Sequence, residues 1–257
     1  MRVASIRQTA ATGRKVDLAM TDVQSRGLLV QPDAAVSGRA VIVLHEWWGL
    51  NDWIVQRANA LAASGYVVFA ADLYRGAATN DPVEARRLKR DLPQGRAIDD
   101  MTAAFEQLSA RPDVDPTQIR AVGWSLGGGL ALQLAIHEPR LAGCVVNYGA
   151  LPMRAAELAS IDAPVLGNFG VLDRSIPVAR VRAFEAAMRD LGKSVDIKLY
   201  EGAGHAFENP DNKRGYRPEA AADASLRTLD FLAREARRAS PWSAGSAAPS
   251  LPTRCRR

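Results

Sequence analysis

The sequence contains few cysteines and no long apolar run, and each shortage excludes a class of protein. Two cysteines in 257 residues, Cys144 and Cys255, cannot form the disulfide framework of a small secreted domain and indicate a reducing compartment. No stretch approaches the roughly 18 consecutive apolar residues of a membrane span. The N-terminal residues include basic side chains but lack the apolar core of a secretory signal. We therefore predict a cytoplasmic protein with no membrane partner.

Histidine is also scarce, with only His45, His137 and His205 in the whole chain. Neither these histidines nor the two cysteines follow the spacings of metal ligands. We therefore expect no metal and no other cofactor. Any chemistry that needs an imidazole must use one of these three side chains.

The whole net charge of +5 is located at the C-terminal end. From Arg234 onward six arginines stand against one acid, Glu235, so residues 1–233 are neutral overall. Residues 239–257 are rich in Ser, Ala and Pro without periodicity and are predicted to form a disordered basic tail. Apolar residues (47%) and charged residues (24%) otherwise have the proportions of an ordinary globular protein. Because residues 1–233 carry no net charge, we expect no nucleic-acid partner for this part of the chain.

Short buried runs rich in Val and Ile alternate with amphipathic stretches before that tail. Strands are predicted at residues 40–44, 66–70, 119–122, 144–147, 164–169 and 195–200. Helices are predicted at residues 52–63, 97–110, 126–137, 178–191 and 218–234, and a further helix start at Pro82 after the N-cap Asp81. This alternation predicts an α/β fold, with a mostly parallel, doubly wound sheet covered by helices on both faces. We expect one domain over residues 1–238.

The pattern Gly-x-Ser-x-Gly occurs at residues 123–127, with Ser125 at its centre. It directly follows a predicted strand and directly precedes an apolar predicted helix. Such a tight turn needs small neighbours, lifts the serine hydroxyl above the sheet and points the helix N-terminus at it. The context favours Ser125 as a nucleophile over a glycine-rich packing turn in which the serine would only cap the helix.

A serine nucleophile needs a base, and the base needs a group that orients it. His205 lies in a loop of small residues after the last predicted strand, where an imidazole can approach another strand end; a packed loop histidine is the alternative. Asp173 follows the strand at 164–169 and lies between Ser125 and His205 in chain order, as this motif requires. Asp162 precedes that strand and is expected at the other edge. We predict a triad of Ser125, His205 and Asp173.

Residues 45–49, with the sequence HEWWG, follow the first buried strand. In this topology that loop supplies one N–H of the oxyanion hole, and the residue after the nucleophile supplies the other. We therefore predict that the backbone N–H groups of Trp47 and Leu126 form the hole.

Other side chains in these motifs have two interpretations each. Glu46 either places a carboxylate beside the catalytic centre or is a solvated or arginine-paired acid. Trp48 and Trp124 either line an acyl or aromatic pocket or pack in the core. We treat all three as candidates for auxiliary or substrate-contacting roles.

Together these motifs resemble the dienelactone hydrolase family of α/β-hydrolases. The resemblance extends from about Gly27 to Arg234 and rests on five segments in order: HEWWGLND, GYVVFAADLYRG, GWSLGGG, VLDRSIP and GAGHAF. It implies the α/β-hydrolase fold in one compact domain without a large lid, and hydrolysis of ester or lactone bonds without a metal. The family's triad corresponds to Ser125, Asp173 and His205, and its conspicuous glutamate corresponds to Glu46.

The chain departs from the family pattern in two places. The type enzymes use a cysteine nucleophile that their glutamate helps to activate, whereas this chain has Ser125, for which a conventional His205 base is simpler. The type enzymes also bind the substrate carboxylate with two arginines. At the second of these places residues 207–209 are FEN, and near the first Arg75 lies one position out of register. Arg75 and Phe207 are kept as candidate substrate contacts, and dienelactone is not predicted as the substrate.

These observations predict a hydrolase of small carboxylic esters or lactones that works through an acyl-enzyme intermediate. A thioesterase or a peptidase with the same triad is the alternative among enzymes. A non-catalytic binding protein of the same fold is the alternative outside them. We expect a small-molecule substrate, and a monomer or a small homo-oligomer.

Overall fold

The computed structural model describes residues 14–17, 26–32 and 38–234. The predicted basic tail at residues 239–257 lies outside the described residues, as does the N-terminal segment for which no secretory signal is predicted. Among the described residues, no helix is both long enough and apolar enough to cross a membrane.

One sheet of eight strands runs through the described part of the chain, in the order β1-β2-β4-β3-β5-β6-β7-β8. Its strands are β1 (Arg14–Asp17), β2 (Arg26–Val30), β3 (Gly38–Leu44), β4 (Val67–Ala71), β5 (Val114–Trp124), β6 (Gly143–Asn147), β7 (Val165–Gly170) and β8 (Val195–Tyr200). The pairs β1–β2 and β2–β4 are antiparallel, and all other neighbours are parallel. The parallel strands therefore all end at one edge of the sheet.

Helices cover both faces of this sheet. They are α1 (Asp52–Ala63), α2 (Pro82–Arg90), α3 (Gln94–Ser109), α4 (Leu126–His137), α5 (Ala155–Ala159), α6 (Val178–Asp190) and α7 (Pro218–Ala233). Buried side chains of α3, α4, α5 and α6 belong to one apolar cluster, and those of α1 and α7 belong to a second. This is the two-faced arrangement that a parallel sheet requires.

Strand β3 shows how the sequence builds the two clusters. Its side chains alternate between the faces, as the period of two in a strand dictates. Ile42 and Leu44 pack in the cluster under α3 and α4, whereas Val41 and Val43 pack in the cluster under α1 and α7. All four are fully buried. An unbroken apolar run is therefore the correct sequence for a strand covered on both sides.

The structure confirms the α/β fold and contains all six predicted strands and all five predicted helices. The bounds differ by a few residues, most at β5, which begins at Val114. Helix α2 begins at Pro82, with the Asp81 side chain accepting from the N–H of Val83. The prediction that residues 195–200 form a buried strand is wrong in its burial, because β8 lies at the edge of the sheet and is half-buried before Tyr200. Strands β1 and β2 and the short helix α5 were not predicted.

Candidate active site

The carboxyl ends of the parallel strands bring the predicted site residues to one edge of the sheet. Ser125 directly follows β5, Asp173 follows β7 by three residues, and His205 follows β8 by five. The loop that contains Glu46 and Trp47 begins directly after β3. Ligand sites of open α/β sheets lie at this edge, because the loops that leave the strands there converge.

Ser125 occupies a strained turn between β5 and α4. Its backbone has φ 52° and ψ −110°, a conformation that L-residues rarely adopt. The Ser125 N–H donates to the carbonyl of Asn147 on the neighbouring strand (2.9 Å), which ties the turn to the sheet. The side chain makes no capping bond to the helix. Its hydroxyl is therefore not held by α4, contrary to the alternative in which the serine is only an N-cap.

Two glycines let the turn close tightly. A Cβ on Gly123 would overlap the backbone of Gly127, and a Cβ on Gly127 would overlap the carbonyl groups of Leu44 and His45 at the end of β3. The first turn of α4 thus packs directly on the backbone that enters the 45–49 loop. This contact sets the distance between the two predicted oxyanion donors.

Ser125, His205 and Asp173 form a continuous hydrogen-bonded chain. The Ser125 Oγ lies 2.8 Å from the His205 Nε2, and the His205 Nδ1 lies 2.7 Å from the Asp173 Oδ2. Ser125 and His205 are partly exposed, whereas Asp173 is buried. The hydroxyl of a partly exposed serine is thus linked through an imidazole to a buried carboxylate, the arrangement that can activate an alcohol.

The surroundings of Asp173 keep it ionised. Burial alone would raise the pKa of this carboxyl. The hydrogen bond and charge of His205 and the N–H groups of Ile176 and Ser175 outweigh burial and lower the pKa instead. Those two N–H groups donate to Oδ1 at 3.0 and 2.7 Å, which leaves Oδ2 for the imidazole. Asp162, by contrast, is exposed and pairs with Lys193 at the other edge of the sheet.

Glu46 is buried beside the site and has no arginine partner among the described ion pairs. Its Oε2 accepts a hydrogen bond from the Asn209 amide at 2.7 Å. Burial raises the pKa of Glu46 to about 7, although this hydrogen bond and the charge of His205 act in the opposite direction. The interpretation of Glu46 as a solvated or arginine-paired acid is therefore wrong, because Glu46 is a buried carboxyl that accepts a hydrogen bond from a neutral amide.

A second carboxyl, that of Glu208, is also buried, close enough to Glu46 for the two charges to interact. Burial raises the pKa of Glu208 to about 8, against the effects of a hydrogen bond from Trp124 and the charge of Arg57. The indole of Trp124 is itself buried and packs edge-on against Trp53, with ring centroids 5.6 Å apart. Trp124 therefore contributes to the core beneath the site.

The remaining predicted contacts lie in different surroundings. Trp47 and Trp48 are half-buried, with their rings 4.8 Å apart. Phe207 is fully buried between Tyr148 and Tyr200. Arg75 is exposed, and its guanidinium pairs with Asp100 of α3 at 3.1 Å. Among these candidates, Trp47 and Trp48 are therefore the partly exposed side chains that belong to the 45–49 loop itself.

The two predicted oxyanion donors are available for a ligand. Leu126 is the first residue of α4, so its N–H has no acceptor within the helix. The N–H of Trp47 makes no backbone hydrogen bond within the described part of the chain. No group of three or more His, Cys, Asp or Glu side chains that could hold a metal ion is found among the described residues.

Tyr148, Glu208 and Asn209 adjoin the site but were not predicted to do so. Tyr148 directly follows β6 and has a positive φ of 42°. Its position after a strand end is the signal that could have identified it, since it is the same signal that identified Ser125. No local signal marks Glu208 or Asn209, whose roles depend on distant partners.

Comparison with known proteins gives a consistent family and fold. Residues 25–236 match the model of the dienelactone hydrolase family. A Saccharolobus solfataricus protein with the provisional name carboxymethylenebutenolidase is 32% identical over 234 residues, covering 76% of this chain and 89% of that protein. The chain has the α/β-hydrolase fold, as solved structures of similar proteins show.

This chain aligns with two of these solved structures over nearly their whole length. One, from Klebsiella pneumoniae subsp. pneumoniae and provisionally described as a dienelactone hydrolase, is 26% identical with a TM-score of 0.78, covering 87% of this chain and 99% of that one. Another, described as a dienelactone hydrolase-like promiscuous phosphotriesterase from metagenomic libraries, is 25% identical with a TM-score of 0.77, covering 87% and 98%.

Proposed function

Because this chain is a hydrolase that belongs to the dienelactone hydrolase family, we propose that it cleaves small carboxylic ester or lactone bonds at Ser125. The observation that carries the proposal is the hydrogen-bonded chain from the Ser125 Oγ through both nitrogens of His205 to the Asp173 carboxylate. The strained turn that presents Ser125 and its lack of a capping bond support the same assignment.

In the first half of the reaction, Ser125 attacks the carbonyl carbon of the substrate. The Nε2 of His205 takes the hydroxyl proton as the new C–O bond forms, and Asp173 stabilises the imidazolium through Nδ1. The carbonyl oxygen becomes an oxyanion that accepts hydrogen bonds from the N–H groups of Trp47 and Leu126. His205 then gives its proton to the leaving alkoxide, which departs and leaves an acyl-enzyme.

In the second half, water replaces the alcohol. His205 removes a proton from the water, the hydroxide attacks the acyl carbon, and the same two N–H groups stabilise the second oxyanion. Collapse of this intermediate returns the proton to the Ser125 Oγ and releases the carboxylic acid. For a lactone, the leaving alkoxide stays attached to the acyl group, so the released product is a hydroxy acid.

Glu46 has no proton-transfer step in this mechanism. The Ser125 hydroxyl is already paired with His205, and the Oε2 of Glu46 accepts a hydrogen bond from the Asn209 amide. Its burial and its neutral amide partner instead support a role in holding the loop after β8 against the loop after β3.

Replacement of the nucleophile tests the proposal. Ser125→Ala should lower the turnover of p-nitrophenyl acetate by roughly 10³-fold or more while the circular dichroism spectrum stays unchanged. Ser160→Ala is the matched control, because its exposed hydroxyl bonds only the Ala156 carbonyl of its own helix. A fluorophosphonate probe should label the wild type and Ser160→Ala but not Ser125→Ala. Undiminished turnover in Ser125→Ala would refute the mechanism.

A substrate panel separates the alternatives that share this triad. Wild type should hydrolyse short-chain esters and lactones with a higher kcat/KM than a matched thioester or an N-acyl peptide. A preference for the thioester would make the protein a thioesterase, and a preference for the peptide would make it a peptidase. A chain that accepts none of these and is not labelled by the probe would be the non-catalytic binding protein.

A further inference from the structure

His45 lies at the start of the 45–49 loop and takes no part in the proposed proton transfers, yet both of its ring nitrogens are engaged. The Nδ1 lies 2.6 Å from the backbone carbonyl oxygen of Glu46, and the Nε2 accepts from the N–H of Leu73 at 3.3 Å. The side chain is fully buried. An N–H can only donate, so Nε2 is the acceptor, and the ring proton is on Nδ1, which donates to the carbonyl.

The carbonyl that His45 binds belongs to the same peptide group as the N–H of Trp47. In a trans peptide the C=O and the N–H point in opposite directions within one rigid plane. The Glu46 carbonyl points toward the buried imidazole and also accepts from the N–H of Gly49 at 3.2 Å. The N–H of Trp47 must therefore point away from this interior contact.

The imidazole is itself fixed from two sides. The N–H of Leu73 donates to its Nε2, and the ring of Tyr74 packs against it in a tilted arrangement, with ring centroids 4.8 Å apart and planes at 59°. Burial lowers the pKa of His45, while its hydrogen bonds and the charge of Asp72 act in the opposite direction. His45 thus connects the segment after β4 rigidly to the loop after β3.

We propose that His45 is a positioning residue for the oxyanion hole, and that its Nδ1–H holds and polarises the Glu46–Trp47 peptide so that the Trp47 N–H faces the developing oxyanion. A hydrogen bond accepted by a peptide carbonyl makes the N–H of that peptide a stronger donor. The effect matters only when negative charge develops on the substrate oxygen, so it stabilises the transition state more than the bound ester. This inference rests on the proposed function.

Two variants whose new side chains have nearly the same shape as each other test this positioning role. In His45→Asn the amide nitrogen is bonded to Cγ, as Nδ1 is, and can still donate to the Glu46 carbonyl. In His45→Leu a methyl group occupies that place and cannot donate. Both variants lose the Nε2 contact to Leu73, so the comparison isolates the bond to the carbonyl.

The kinetic readout is the split between kcat and KM for p-nitrophenyl acetate, together with the affinity of an alkylboronic acid that forms a tetrahedral adduct on Ser125. His45→Leu should lower kcat about tenfold, less than the roughly 10²–10³-fold loss expected for a whole oxyanion donor. Its KM should change less than threefold, and its boronic acid affinity should fall in parallel with kcat. His45→Asn should recover most of both. Equal kcat values in the two variants would overturn the proposal.

A measurement on the unmodified protein covers the case in which a variant fails to fold. With ¹⁵N-labelled histidine, NMR should find His45 as the neutral tautomer with the proton on Nδ1; a proton on Nε2 would overturn the proposal. Different results would refute the proposed function and the positioning role of His45. If Ser125→Ala keeps full turnover, the proposed function is wrong, whereas Ser125-dependent turnover that is insensitive to His45→Leu refutes only the positioning role.

Discussion

The ring of Tyr148 meets the imidazole of His205 edge to face, with ring centroids 5.4 Å apart and planes at 66°. Tyr148 is fully buried, has a positive φ and donates its N–H to the Asn168 carbonyl at 2.8 Å. Its ring also packs on Phe207 at 5.4 Å. A residue fixed at the end of β6 thus supports the imidazole, whose own loop has no regular secondary structure.

Loss of this ring should therefore loosen the imidazole. Tyr148→Leu is expected to lower kcat about tenfold, because an aromatic pair contributes about 0.5–1.5 kcal/mol beyond the area it buries. Tyr148→Phe keeps the ring and should retain kcat within about twofold. Steady-state kinetics at several pH values would measure both. Equal losses in the two variants would assign the effect to the hydroxyl rather than to the ring contact.

The acid of the proposed triad gives a second prediction. Asp173→Asn should lower kcat by on the order of 10²–10⁴-fold, since an amide neither stabilises the imidazolium nor holds the imidazole tautomer with its proton on Nδ1. The exposed pair of Asp162 with Lys193 provides the control, and Asp162→Asn should leave kcat unchanged. A small effect of Asp173→Asn on p-nitrophenyl acetate turnover would argue against the role assigned to this carboxylate.

The close packing of α4 on β3 gives a prediction that joins stability to activity. Gly127→Ala should cost about 1–3 kcal/mol in the free energy of unfolding, because the added methyl group overlaps the Leu44 carbonyl. It should also lower kcat, since the two predicted oxyanion donors lie on either side of this contact. Gly95→Ala in α3 meets no atom within 4 Å and should be neutral or stabilising by up to about 1 kcal/mol. Urea unfolding and esterase assays would compare the two variants.

The buried Glu208 makes stability depend on pH. Its pKa is raised from 4.5 to about 8 in the folded protein, so the folded state holds a proton that the unfolded state releases. The resulting stability is present in full below about pH 4.5 and is lost as the pH rises through 8. The size of the loss is on the order of a few kcal/mol. The free energy of unfolding of the wild type should thus be lower at pH 8 than at pH 5.

Removal of this acid should reduce that difference. Glu208→Gln stays neutral at both pH values, so its free energy of unfolding should fall less between pH 5 and pH 8. The exposed Glu201→Gln should behave as the wild type. Denaturant melts at the two pH values measure the effect. Some decline should remain in Glu208→Gln, because Glu46 has a raised pKa of about 7; a decline as large as that of the wild type would contradict the prediction.

The sequence by itself determined the architecture and pointed to the principal residues of the candidate site. Apolar runs and amphipathic stretches have different periods, so their alternation predicted the parallel sheet and its two helical layers. Ser125, Asp173 and His205 could be located because each follows a strand end, and the ends of parallel strands meet at one edge. These are local signals, which need no knowledge of distant contacts.

The tertiary structure alone decided which side chains support the site. Glu46 and Asn209 are 163 positions apart, and their hydrogen bond exists only because two strand-end loops pack together. Arg75 was a candidate for the substrate but pairs with Asp100 of a neighbouring helix. Burial, which raises the pKa values of Glu46 and Glu208, likewise depends on every element around them. The sequence pattern determines where strands end and loops begin. Tertiary packing determines the hydrogen-bond partner and the protonation state of each side chain in those loops.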